Sequence, residues 1–146
     1  MRPLSKPVQI LMVESNPGDA RLMMEALRNG NGRNNMSVTP DGLEAMAFLR
    51  REGQYCAAPR PDIIILELNL PKKDGRELLA ELKRDPTLKR IPVVVLTNSN
   101  TEQDILTAYH LHANCYFVKP AEAHEFINLV KIIEDFWFAV VKLPER

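Results

Sequence analysis

The sequence lacks the features that would assign it to several large classes of protein. Its 146 residues carry 19 Lys and Arg against 19 Asp and Glu, so no excess of positive charge indicates binding to nucleic acid. No apolar run reaches the roughly 18 to 20 residues that span a bilayer. The first residues also lack the small-residue cleavage site of a secretory signal. We therefore expect a cytoplasmic protein with no nucleic-acid partner and no membrane partner.

The few cysteines and histidines form no metal or redox motif. Cys56 and Cys115 are far apart and match neither a C-x-x-C pair nor a zinc spacing. His110 and His112 point to different faces of a predicted helix, which gives no ligand spacing. A glycine-rich nucleotide loop is absent as well. The sequence therefore predicts no disulfide, no metal centre of this kind and no enzymatic activity.

Short apolar runs alternate with helical patterns along the chain. Five runs predict strands at residues 8–13, 36–39, 63–66, 93–96 and 116–118. The third and fourth runs are rich in Ile and Val without polar alternation, as in parallel strands that helices cover on both faces. This alternation predicts an α/β fold with a doubly wound, five-stranded parallel sheet.

Capping signals place a helix after each strand. The five predicted helices begin near residues 17, 42, 75, 100 and 121. Asn16 and Pro17 are an N-cap and a first-turn proline for the first helix. Gly53 predicts the end of the second helix, because a glycine commonly follows the last helical turn. Ser99 and Glu102 form an S-x-x-E capping box for the fourth.

Polar side chains follow four of the predicted strands at their carboxyl ends. Glu14 and Ser15 come after the first strand, Glu67 after the third, Thr97 after the fourth and Lys119 after the fifth. These ends meet at one edge of a parallel sheet, where ligand sites of doubly wound folds lie. We therefore expect two carboxylates, a hydroxyl and an ammonium to share one small pocket.

Four segments carry a family resemblance. They resemble the CheY-like receiver domains of two-component response regulators. The segments are V-E-S-N at 13–16, L-E-L-N-L-P-K-K-D-G at 66–75, V-V-V-L-T-N at 93–98 and Y-F-V-K-P at 116–120. The spacings agree too, with 30 residues from the glutamate to the threonine and 22 from there to the lysine. The resemblance implies a flavodoxin-like (βα)5 fold with strand order 2-1-3-4-5.

Two further segments, D-G-L-E-A-M-A-F-L-R and F-W-F-A-V-V-K-L-P, are most similar to the small response regulators of cyanobacterial and bacterial phytochromes. The resemblance implies a stand-alone response regulator in a phosphorelay. Its expected partners are a phytochrome-type sensor histidine kinase or a downstream signalling protein.

In receiver domains a histidine kinase passes a phosphoryl group to an aspartate beside a bound Mg²⁺. The resemblance places the phosphoacceptor position at Glu67 and the acidic metal-site positions at Glu14 and Ser15. Asn69 matches the residue whose backbone carbonyl contacts the metal.

The remaining positions of the family site follow the fourth and fifth strands. Thr97 matches the switch hydroxyl and Lys119 the lysine that approaches the phosphoryl oxygens. Tyr116 matches the aromatic side chain that reports the state of the pocket to the surface. Pro120 matches a proline whose preceding peptide bond is usually cis.

Two departures change the expected mechanism. Glu67 stands where the family has Asp, and its additional methylene carries the carboxylate towards the place of a phosphoryl group. Ser15 replaces a second acid, so Glu14, Glu67 and Lys119 sum to −1 where the family site sums to −2. We therefore expect Mg²⁺ binding that is weak at most, no obligatory cofactor, and a site that imitates the phosphorylated state. The alternatives are an inert receiver that acts as a scaffold, and residual phosphorylation on a neighbouring acid.

The carboxyl-terminal segment has more apolar residues than a receiver core needs. We divide the chain into a tail at 1–7, a receiver at 8–134 and an extension at 135–146. The extension predicts a homodimer interface, formed as an arm or as a helical extension across a two-fold partner. Its residues are Phe136, Trp137, Phe138, Val140, Val141 and Leu143. The alternative is that these aromatics pack on their own domain.

Overall fold

A computed structural model describes residues 7–28 and 34–140 of the chain, with side chains described as far as residue 137. Strands and helices alternate throughout these residues. Their bounds are β1 (Val8–Val13), α1 (Pro17–Arg28), β2 (Asn34–Thr39), α2 (Gly42–Arg50), β3 (Ile63–Leu66), α3 (Gly75–Arg84), β4 (Val93–Thr97), α4 (Glu102–His110), β5 (Cys115–Val118) and α5 (Ala123–Glu134). None of the helices in these two ranges is long and apolar enough to cross a membrane.

All five strands pair in parallel in the order β2-β1-β3-β4-β5, as the sequence predicts. β3 lies at the centre, and its residues Ile63–Leu66 are all fully buried. Alternate strand side chains point to opposite faces. Ile64 and Leu66 pack with α2, α3 and α4, while Ile63 and Ile65 pack with α1 and α5. The sheet is therefore covered on both faces, and its carboxyl edge remains accessible to side chains from the connecting loops.

Two predicted helix boundaries are wrong, although both helices exist. α2 ends before Gly53, because Arg51 takes the left-handed conformation (φ 55°) and closes the last turn through its N–H bond to the Phe48 carbonyl. Gly53 instead opens a short 3₁₀ turn. α4 is capped by Thr101, whose hydroxyl accepts a bond from the Asp104 N–H, and not by Ser99.

α5 continues into a π-helical turn over Asp135–Val140, which agrees with the helical form of the predicted extension, and residues 141–146 lie outside the described residues. Trp137 is 8% exposed and packs in the core cluster on the α1–α5 face of the sheet, which reassigns it from the dimer surface to its own domain. A large indole gains more from this burial than from facing water. Phe136 is 51% exposed. The side chains of Phe138 and Val140, together with Val141 and Leu143, lie outside the described residues.

Candidate functional site

The structure brings four of the predicted side chains together at the carboxyl edge of the sheet. Glu14 follows β1, Glu67 follows β3, Thr97 ends β4 and Lys119 follows β5. Their exposed fractions are 4%, 5%, 0% and 7%, respectively. Charged groups buried to this extent must be paired, because an unpaired buried charge is costly.

The Lys119 ammonium pairs with three carboxylates. Its Nζ lies 2.5 Å from Glu14 Oε1, 2.9 Å from Glu67 Oε1 and 2.9 Å from Asp19 Oδ2. Three donors meet three acceptors, which satisfies the hydrogen-bonding capacity of the ammonium group. We call these four residues the Lys119 cluster.

Asp19 is the member of this cluster that sequence reasoning missed. It lies in the first turn of α1, which the Asn16 side chain caps by accepting bonds from the N–H groups of Gly18 and Asp19 at 2.8 and 3.1 Å. The signal that would have found it is an acid in the first turn of the helix that follows β1, directly above the strand ends. Asp19 adds one negative charge to the sum of −1 for Glu14, Glu67 and Lys119, so the whole cluster has a formal charge of −2.

Both oxygens of Glu67 are used. Oε1 accepts from Lys119, whereas Oε2 accepts from the Thr97 hydroxyl and, at 3.0 Å, from the Asn69 backbone N–H. The bond with Thr97 joins the ends of β3 and β4, and the bond with Lys119 joins the ends of β3 and β5. Glu67 therefore bridges the two polar side chains at the ends of β4 and β5.

Burial and pairing shift the pKa values of the cluster. Burial works to lower the pKa of Lys119, but its hydrogen bonds with Glu14, Glu67 and Asp19 outweigh burial and raise that pKa well above its ordinary value. Burial raises the pKa of Glu14, and the bonds from Lys119 and the Asn16 N–H oppose the rise. The ammonium is therefore ionised at neutral pH and offsets part of the negative charge around it.

The cluster does not fit a divalent metal. A magnesium site needs several carboxylate, carbonyl and water oxygens around one point, whereas here the Lys119 ammonium lies among the carboxylates. Within residues 7–28 and 34–140, no group of three or more His, Cys, Asp or Glu side chains could hold a metal ion. Ser15 is exposed, and Asn69 directs its N–H to Glu67. We therefore derive no step through a metal.

The Tyr116 side chain points back towards the β4–α4 loop. Its hydroxyl donates to the Ser99 backbone carbonyl at 2.7 Å, two residues beyond Thr97, and its ring packs against the core on the α2–α4 face. Burial raises the pKa of Tyr116, and the bond to Ser99 opposes the rise. The phenol is therefore neutral at physiological pH and able to donate this bond.

The peptide bond between Lys119 and Pro120 is trans, which contradicts the cis bond that the resemblance implied. The trans form of an X-Pro bond is intrinsically favoured by about 0.5–1 kcal/mol. In this form the Lys119 N–H donates to the Thr97 carbonyl at 2.7 Å while the ammonium reaches all three carboxylates.

Comparison with known proteins agrees with this architecture. The family model for the response regulator receiver domain matches residues 10–131 of this chain. Response regulator Rcp1 of Synechocystis sp. is 49% identical over 138 residues, which cover 94% of each chain. This chain belongs to the response regulator receiver family.

Solved structures of receivers resemble this receiver closely. The phosphorylated cyanobacterial phytochrome response regulator RcpA is 53% identical, with a TM-score of 0.92 over 96% of this chain and 100% of its own. The Mn²⁺-bound form of Rcp1 is 49% identical, with a TM-score of 0.92 over 95% and 100%. The bacteriophytochrome response regulator AtBRR is 38% identical, with a TM-score of 0.74 over 94% and 99%. The relatives therefore include one with bound phosphoryl and one with bound metal.

Replacing Lys119 by Met tests whether the ammonium neutralises this cluster. The variant leaves Glu14 buried without its cationic partner, so we expect a loss of about 3 kcal/mol in the free energy of unfolding at pH 8. The matched control is Lys131→Met on the exposed surface of α5, which should change stability by less than about 0.5 kcal/mol. Urea denaturation measures both.

The pH dependence of the Lys119→Met variant has a definite sign. The pKa of Glu14 is already raised by burial, and without the ammonium it rises further above its value in the unfolded chain. The folded variant then binds more protons than the unfolded chain, so its stability falls as the pH rises from about 5 to about 8. A variant as stable as the parent protein at both pH values would contradict the neutralising role of Lys119.

Proposed function

We propose that this receiver is a response regulator of phytochrome-type two-component signalling whose Glu67 keeps the pocket in an active-like arrangement without aspartyl phosphorylation. The observation that carries the proposal is the Glu67 carboxylate, which accepts from Thr97 with one oxygen and from Lys119 with the other. In receivers, these two positions are the ones that gather around an acquired phosphoryl group.

The position of the Glu67 carboxylate supports the proposal that this residue does not accept a phosphoryl group. A phosphoryl group is transferred only when the attacking oxygen is held in line with phosphorus, and a misplacement of about 1 Å costs on the order of a hundredfold in rate. The additional methylene of Glu67 moves its carboxylate into contact with Thr97 and Lys119, and both oxygens are hydrogen-bonded. The carboxylate thus lies where an incoming phosphoryl group would have to fit.

Burial argues against the two alternatives. An inert receiver predicts a Glu67 side chain with no part in the pocket, whereas this side chain is buried and accepts three hydrogen bonds. Residual phosphorylation needs a neighbouring acid that is available to attack, whereas Glu14 and Asp19 already share the Lys119 ammonium.

The kinase partner is inferred from the relatives. RcpA and AtBRR are regulators of a cyanobacterial phytochrome and of a bacteriophytochrome, and this chain covers nearly all of both. We infer that this receiver docks on a phytochrome-type histidine kinase or on a downstream signalling protein, and that its effect depends on binding.

Treatment with acetyl phosphate and Mg²⁺ tests the loss of phosphorylation. Intact-protein mass spectrometry should detect no phosphorylated form of the natural sequence. The double variant Glu67→Asp with Ser15→Asp should become phosphorylated on a Mg²⁺-dependent basis, since it restores both acceptor geometry and a metal ligand. Each single variant should react at least about tenfold more slowly than the double variant. Stoichiometric label on Glu67 of the natural sequence, or an unreactive double variant, would contradict the proposal.

The predicted homodimer remains a proposal, now carried by a different set of residues. Among the described residues, five of the six exposed large hydrophobic side chains lie on α4, β5, α5 and the π-helical turn, at the β5 edge of the sheet: Leu106, Tyr109, Val118, Ile132 and Phe136. Such a concentration of apolar surface is typical of an interaction site. We propose that a second copy of this chain covers it.

Sedimentation velocity at matched micromolar concentration tests the dimer. The double variant Ile132→Ser with Phe136→Ser should raise the dissociation constant of the dimer at least about tenfold, because aromatic anchors dominate interfaces. Leu43→Ser on α2 is the control, since Leu43 is equally exposed but lies on another helix. Point variants are preferable to truncation, which would remove the core residue Trp137. A natural sequence that sediments as a monomer, or a double variant that dimerises normally, would contradict the proposal.

A further inference from the structure

An ion pair outside the Lys119 cluster joins the first turn of α3 to the first turn of α4. Arg76 Nη2 lies 2.9 Å from Asp104 Oδ1, and the side chains are 27% and 22% exposed. The position is half-buried, so the pair is less screened than one on the open surface. It connects the two elements that follow Glu67 and Thr97 in the chain.

Arg76 also contacts the β3–α3 loop beside Glu67. Its Nη1 lies 3.1 Å from Asp74 Oδ1, and the same nitrogen donates a long bond of 3.5 Å to the Leu68 carbonyl, the residue directly after Glu67. The planar guanidinium presents donors in fixed directions, which allows one side chain to hold a loop and a helix together. A lysine would present a point charge on a flexible stem, without the fixed planar arrangement of donors.

Asp104 continues the connection to the switch tyrosine. Its second oxygen, Oδ2, accepts from the Ser99 hydroxyl at 2.5 Å, and the Ser99 carbonyl accepts from the Tyr116 hydroxyl at 2.7 Å. The bonds from Ser99 and then Arg76 hold the pKa of Asp104 below its usual value, so its carboxylate is ionised at neutral pH. Arg76, Asp104, Ser99 and Tyr116 thus form one unbroken chain of contacts.

The β3 and β4 loops are therefore joined twice. The buried link is the bond between Glu67 and Thr97, and the half-buried link runs from Leu68 through Arg76 to Asp104 and Ser99. The buried link leads to Thr97, whereas the half-buried link holds the carbonyl to which Tyr116 donates. Glu67 by itself makes no described contact with that carbonyl.

We propose that Arg76 and Asp104 are positioning residues that hold the Ser99 carbonyl in place for Tyr116 and so set the position of the switch aromatic. The inference rests on the proposed function, because it explains how the Glu67 pocket and the surface of α4 share one state. Without Arg76 the Asp104 carboxylate is no longer held towards Ser99, and without the Asp104 charge Ser99 loses its charged acceptor. In either case the Tyr116 ring gains access to an outward rotamer. The pair thus regulates the readout of the site without touching the Lys119 cluster.

Tyrosine-selective ¹³C NMR of the protein, without any phosphodonor, tests this inference. Arg76→Met keeps most of the side-chain stem, and Asp104→Asn keeps the shape while removing the charge. Each should raise the outward population of Tyr116 on the order of tenfold, a usual size for a coupling mutation. Tyr55 and Tyr109 serve as internal references. Control variants are Arg84→Met and Glu102→Gln, exposed charges on the same two helices, and both should leave the Tyr116 signals unchanged.

The double variant decides whether the two residues act as a pair. If they do, Arg76→Met combined with Asp104→Asn should displace Tyr116 no further than either single change. Full additivity, or single variants that lower the urea midpoint while Tyr116 stays inward, would overturn the inference and leave a purely structural ion pair.

The variant Glu67→Ala, measured in the same NMR experiment, separates this inference from the proposed function. Tyr116 that stays inward in Glu67→Ala but moves outward in Asp104→Asn would support the positioning pair and contradict a pocket driven by Glu67. Tyr116 that moves outward in Glu67→Ala but stays inward in Asp104→Asn would overturn the positioning pair and leave the proposed function intact. Outward movement of Tyr116 in both variants would support both the positioning pair and the proposed function.

Discussion

The ion cluster around Lys119 is the interaction on which the rest of the site depends. One ammonium holds carboxylates that arrive from the end of β1, the first turn of α1 and the end of β3. Burying these charges is costly, and only mutual pairing offsets the cost. The cluster therefore determines how the loops at the carboxyl edge can be arranged, and any ligand entering the site must replace one of these contacts.

In the proposed function, Glu67 gives this cluster one favoured conformation. Its carboxylate contacts both Lys119 and Thr97, and under the proposed function these contacts replace the ones that a phosphoryl group would induce. When a protein has two conformations, a contact that forms in only one of them shifts the population towards that conformation. Here the group that makes these contacts is the Glu67 side chain itself and not an added phosphoryl group. We infer that the half-buried link through Arg76 and Asp104 connects this conformation to the position of Tyr116.

Most of the fold was predictable because its signals are local. The continuous Ile and Val runs of β3 and β4 leave few alternatives to buried parallel strands, and the strand ends then place Glu14, Glu67, Thr97 and Lys119 together. Asp19 was missed because it reaches the cluster from a helix and not from a strand end.

Two of the incorrect predictions have a common cause, since a competing partner that the spacing does not reveal was preferred. Ser99 matched a capping box, but its hydroxyl bonds the Asp104 side chain, and Thr101 takes the capping role. Trp137 matched an exposed aromatic extension, but it is buried in the core cluster on the α1–α5 face of the sheet. Sequence spacing carries no information about such competing partners.

The central claim, that the resting receiver already has the active-like pocket, is tested most directly by its amide NMR spectrum before and after addition of Mg²⁺ and beryllium fluoride, an analogue of the phosphoryl group. We expect the spectrum of the unaltered protein to stay unchanged around Thr97, Ser99 and Tyr116. Shifts of these three residues on addition, equal to those of the Glu67→Asp, Ser15→Asp variant, would show that the resting pocket was not in that state and would contradict the claim.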